Sequence, residues 1–146
     1  MNEFINCLRK TDDSKFTVAP RLIAALPLIA IGIGHLVDPG SFRLILEGAG
    51  IPMPELNLII APVAEVAAGI LLLVGLFSRA GGLLAASTMM VALYSHAVID
   101  PSIFPETMAM PPIILPLAVL ASALWVAYAG AGRWSMDSRS GGPNSD

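Results

Sequence analysis

Three side chains in this 146-residue chain combine acid–base chemistry with an apolar setting: Glu65, His35 and His96. Glu65 is the only charge in Leu56–Phe77, a run long enough to cross a bilayer. A carboxyl at that depth costs about 2.5 to 3.5 kcal/mol on insertion scales unless it is protonated, paired or facing a water-filled cavity, which marks it as a functional-site candidate. The two histidines are the only ones in the chain. Burial raises a carboxyl pKa and a protonated histidine nearby lowers it, so a glutamate–histidine cluster suits proton exchange near neutrality. Tyr94, two residues before His96, joins them as a candidate hydrogen-bonding side chain.

The elements that must position these groups follow from composition. With 55% hydrophobic residues, 13% charged residues and a mean hydropathy of +0.76, the chain is too apolar for a soluble domain of its size. Four apolar stretches, about 19–37, 57–77, 80–99 and 112–130, each approach the roughly 20 residues that span the hydrocarbon core as helix. Their apolar residues are continuous, not alternating, which argues against a transmembrane barrel. The expectation is an all-α, four-helix transmembrane bundle in one domain, in contact with the lipid bilayer.

Arg9, Lys10, Lys15 and Arg21 precede the first stretch, Arg79 lies in the tight turn after the second, and Arg133 and Arg139 follow the fourth. Only Arg43 falls on the other side, among Asp38, Glu47, Glu55, Asp100 and Glu106. The positive-inside rule then places both termini in the cytoplasm. Val37-Asp38-Pro39-Gly40-Ser41 offers no small-x-small cleavage pattern, so the first stretch reads as a retained helix. The single Cys7 excludes a disulfide framework, and without Cys-x-x-Cys the chain has no direct thiol–disulfide chemistry of its own. Nothing in it reads as a nucleic-acid signature.

Residues 38–56 divide into an apolar patch at Phe42, Leu44, Ile45 and Leu46, suggesting a short interfacial helix, and a proline-fixed turn at Gly50-Ile51-Pro52-Met53-Pro54. Residues 100–111 are expected to lie over the outer mouth, and residues 138–146 to form a disordered tail. In this topology His35, His96 and Glu65 share the outer half, about 4, 6 and 12 Å below the boundary at 1.5 Å per residue. One water or one ligand head group would bridge the remaining gap. Gly32 with His35, Ala61 with Glu65, and Ala92 with His96 recur at helical spacing, and small residues of this kind allow close packing in lipid. Trp125, Tyr128 and Trp134 suit an inner interfacial belt.

The runs Gly32-Ile-Gly-His35-Leu-Val-Asp38-Pro39, Gly50-Ile-Pro-Met-Pro54, Glu65-Val-Ala-Ala-Gly69 through Gly75-Leu-Phe-Ser-Arg79, and Gly132-Arg-Trp-Ser-Met-Asp137 resemble the DoxX family of small four-helix bacterial membrane proteins. Ala131 departs from the proline expected before Gly132-Arg133, and Ala67-Ala68 from a frequent glycine pair. The resemblance implies a subunit in the bacterial inner membrane, linked to quinone-dependent oxidoreductases such as thiosulfate:quinone oxidoreductase. It also implies protein partners or a homo-oligomer.

Three readings stay open. In the first, Glu65 exchanges a proton with a quinone head group while His35 or His96, with Tyr94, hydrogen-bonds it. In the second, the chain is a scaffold whose neutral Glu65 bonds a backbone carbonyl, Ser87, Thr88 or Tyr94. In the third, the cluster belongs to a small-solute or proton pathway. Two histidines and a carboxylate could make a metal or haem site, but neither histidine has ligand spacing, so no metal or haem is expected.

Overall fold

The computed structural model describes residues 14–104 and 112–140. Within them all regular structure is helical: α1 (Val18–Val37), α2 (Pro39–Gly48), α3 (Pro54–Val74), α4 (Ser78–Val98), a 3₁₀ turn (Pro101–Ile103), α5 (Ile114–Ala129) and α6 (Met136–Ser140). Helices α1, α3 and α4 are long and apolar enough to cross a membrane, and α5 is a shorter apolar helix of 16 residues. The helix ends fall within three residues of the sequence expectation. Cys7, Arg9, Lys10 and Glu106 lie outside the described residues, as does most of the segment expected over the outer mouth.

The helices pack in the cyclic order α1–α3–α4–α5, with α1 against α3 and α4 against α5 as the broad interfaces. The interior is built largely from small side chains: Ala24, Ala25, Ala68, Ala85 and Ala123 around Leu28, Leu72 and Met89. Larger ones such as Ile59, Val63, Leu83, Met90 and Leu124 face outward. Such a distribution would be an association hazard in water. In lipid, which solvates leucine as well as a protein core does, helices gain by bringing backbones close through small residues and leaving large side chains outside.

Gly32 is the tightest such contact beside the polar cluster. A Cβ there would sit 2.8 Å from both the Pro62 carbonyl oxygen and Val66 Cγ2, and 3.1 Å from Glu65 Cβ. At the opposite end, Gly75 (φ 67°) closes α3 and Phe77 (φ 48°) opens α4, so the turn occupies 75–77 and Ser78 and Arg79 already belong to α4. A left-handed phenylalanine is held only where the surroundings over-determine it. Asp137 does so: Oδ1 accepts from Phe77 N (3.0 Å), and Oδ2 from Ser78 N (2.9 Å) and Ser78 Oγ (2.6 Å).

Two expectations are corrected here. Arg21, placed before the first span, lies inside α1 and is buried. Its Nη1 and Nη2 donate to the Ala131 (3.1 Å) and Trp134 (3.3 Å) carbonyls, which answers much of a buried guanidinium's need for acceptors. Ser138–Ser140, expected in a disordered tail, belong to α6, where the Ser138 amide donates to Ser135 Oγ at 3.1 Å. Residues 141–146 lie outside the described residues.

Three substitutions test these contacts. Gly32→Ala forces α1 from α3 and should lower the melting temperature, at a cost of about 1 to 3 kcal/mol for overpacking. Gly34→Ala, whose added carbon meets nothing within 4 Å, should be neutral or stabilising. Asp137→Ala orphans buried donors at the start of α4 and should cost roughly 1 to 3 kcal/mol in unfolding of the reconstituted protein.

Candidate functional site

At the end of the bundle away from the α3–α4 turn, α1, α2, α3 and α4, with Leu115 and Pro116 of α5, line a cavity of about 280 Å³ with mainly apolar walls. His35, Glu65 and His96 all line it. The close approach at Gly32 explains the first two: one turn beyond Gly32 on the same face, His35 lands beside Glu65. Its Nδ1 lies 3.1 Å from Glu65 Oε2, with Glu65 only 5% exposed and the His35 side chain 23% exposed. No bridging molecule is needed between them, contrary to the depths estimated from helical rise. Those depths assume parallel, untilted helices, and long side chains close the rest.

The pair holds one proton in either of two ways. Nδ1–H donates to the carboxylate, or a protonated carboxyl donates to bare Nδ1, and the hydrogen bond survives the transfer. On its other side the His35 ring is stacked on Phe42 of α2, with centroids 4.0 Å apart and planes 9° apart. The ring is thus clamped between an acid and an aromatic face, in an orientation set by packing.

His96 is positioned differently. Its Nδ1 donates to the Ala92 carbonyl of its own helix at 2.8 Å, which leaves Nε2 as the acceptor nitrogen of the neutral ring. Tyr94 does not join the cluster: it is 52% exposed and does not line the cavity, because two residues along a helix rotate it about 200° from His96. Ser87 and Thr88 do line the cavity, but their hydroxyls donate to the Leu84 (2.7 Å) and Ala85 (3.0 Å) carbonyls one turn back.

Helix α2 roofs the site. Asp38 caps it, accepting from the Ser41 amide at 3.3 Å and from the Ser41 hydroxyl. Phe42 and Leu46 turn inward and are buried, and Arg43 pairs with Glu55 on α3. Asn57, a further lining residue, donates to the Pro52 carbonyl at 2.9 Å and braces the turn into α3. Phe42 and Asn57 are the site residues that the sequence reading passed over. The signal for Phe42 was present, since Phe42, Ile45 and Leu46 form one apolar face at spacings of three and one along a short helix.

A family model described as DoxX matches residues 16–97, from the start of α1 to the end of α4, with the whole of the His35–Glu65 pair and His96 inside it. No curated protein and no solved structure matches the chain.

The cap on α2 gives a pH prediction. The Ser41 hydroxyl, with its amide, holds the Asp38 carboxyl below the usual aspartate range. Since the folded pKa is the lower one, the cap is fully formed above the ordinary value of about 3.9 and is lost as pH falls through the lowered one. Amide exchange across 39–48 should quicken, relative to the intrinsic rate, only at such acid pH. Asp38→Asn, which still caps but does not titrate, should abolish that dependence.

Proposed function

The chain belongs to the DoxX family and is a multi-pass membrane protein, and on that premise we propose that it is the quinone-binding subunit of a membrane oxidoreductase. The observation that carries this reading is the His35–Glu65 pair on the wall of an apolar cavity that also holds His96. A volume of about 280 Å³ is just below the 300 to 1,000 Å³ typical of whole drug-sized ligands, which suits a single-ring head group.

When bound, a quinone supplies two-electron chemistry in which each reduced oxygen takes a proton. Glu65 and His35 hold and transfer a proton at Oε2 and Nδ1, within hydrogen-bond reach of each other. Phe42 fixes the plane of the His35 ring, and the apolar walls exclude water that would scatter the proton. The His96 imidazole completes the polar part of the wall. Electrons come from a donor on a partner subunit.

The basic residues support a bacterial inner-membrane orientation with four spans and both termini in the cytoplasm, which places the cavity in the outer leaflet. A scaffold role is the competing reading. It is served by the same hydrogen bond if the proton never leaves the pair.

The test is solvent extraction of quinone from the gently solubilised protein, together with quinone-linked turnover of its membranes. Near-stoichiometric quinone in the wild type is expected. Glu65→Gln should keep the fold but lose about 10²-fold or more in turnover, the share typical of general acid–base catalysis. A quinone-free wild type, or unchanged turnover in Glu65→Gln, would overturn the proposal in favour of the scaffold.

A further inference from the structure

The walls of the cavity differ in what lies behind them. Toward the aqueous side it is closed by α2, whose Phe42 and Leu46 are buried. Toward α1 it is closed by the contact at Gly32, and toward α5 by Leu115 and the buried Pro116. Among the described residues that line the cavity, only Ser87 and Val91 are exposed, Val91 at 48%. A side chain that faces the cavity and the exterior together marks the mouth.

The side of α4 on which they lie can be derived. Gly81 packs against Leu71 and Leu72 of α3, and Gly82 against Ala123 and Ala127 of α5. At about 100° per residue, Val91 points about 80° from the Gly81 direction and about 180° from that of Gly82, with Ser87 one turn below it. The mouth is therefore on the α3 flank. Across from it, Asn57, Ala61 and Glu65 form the α3 wall at intervals of one turn. The seam is held shut at the 75–77 turn, and the α3–α4 interface is much slighter than that of α1 with α3.

We propose that the cavity opens sideways into the bilayer between α3 and α4, with Ser87 and Val91 as its mouth, and that it takes a long-tailed amphiphile whose head enters while its apolar tail stays in lipid. The inference rests on the reading of the cavity as a head-group site, and adds the route in and the need for a tail. A tail left among lipid acyl chains needs no protein pocket, so a cavity too small for a whole lipid still binds one end of it.

The experiment uses the full chain in lipid nanodiscs, with Cys7→Ser and a single reporter thiol, Ala61→Cys, on the cavity wall. Its labelling rate is measured with a dodecyl maleimide that partitions into the bilayer and with a charged, water-confined methanethiosulfonate. The alkyl reagent should react readily, and Val91→Trp or Ser87→Trp should slow it by at least about tenfold, as a bulky plug across a narrow seam raises the barrier. Met90→Trp, 64% exposed but not lining the cavity, should change nothing. A charged reagent that labels as fast as the alkyl one, or an alkyl rate unmoved by both seam tryptophans, would overturn the sideways route. Because this readout contains no quinone, loss of quinone binding alone would refute the functional reading and leave the route standing.

Discussion

The contact of α1 with α3 at Gly32 is the constraint on which the site depends. Lipid offers no hydrophobic reward for burying one leucine against another, so two helices in a bilayer hold together by backbone proximity and by any polar group they can satisfy jointly. Gly32 supplies the first, letting Pro62 and Val66 come to the α1 backbone. His35, one turn further, supplies the second by meeting Glu65. The two contributions are coupled: without the close approach the acid would be stranded in an apolar medium, and without the histidine the approach would bury an unsatisfied carboxyl.

The opposite end is fastened by a different device. Arg21 of α1 reaches the carbonyls of Ala131 and Trp134, while Asp137, a few residues on, organises the start of α4 and donates its own amide to the Gly75 carbonyl at 2.9 Å. The segment after α5 thereby ties α1 to the α3–α4 turn. The cavity lies at the other end, where the hold between helices is the Gly32 contact and the His35–Glu65 bond. The polar groups differ at the two ends: at the turn end Arg21 and Asp137 bond chiefly to backbone groups, Arg21 Nε excepted, whereas Glu65, His35 and His96 border a cavity.

The roof deepens that division. Helix α2 is short, capped by Asp38 and clipped to α3 by the Arg43–Glu55 pair, and its buried face is Phe42 and Leu46. It seals the aqueous side with apolar residues and at the same time sets the plane of the His35 ring. One element thus bears on both the burial of the pair and the orientation of its imidazole ring.

Composition and hydropathy alone determined that this chain is helical and built for a membrane, since runs such as Asn57–Phe77 leave lipid-exposed helix as the only way to satisfy their backbone. Helix positions were legible to within a few residues, and a lone acid in an apolar run marked Glu65, because the cost of a carboxyl in lipid depends on residue type and depth, both of which are read from sequence. Tertiary structure alone decided which partner that acid takes. Helical rise gives depth but neither tilt nor the rotation of one helix against another, so it left a gap between His35 and Glu65 that packing at Gly32 removes; the exclusion of Tyr94, by contrast, was legible in the helical period that turns it away from His96. The buried role of Arg21 and its neighbours Ala131 and Trp134, 110 or more residues away, was likewise beyond reach. A basic residue near a helix start looks the same in sequence whether it faces lipid head groups or the interior, and only the fold brings the far end of the chain to it.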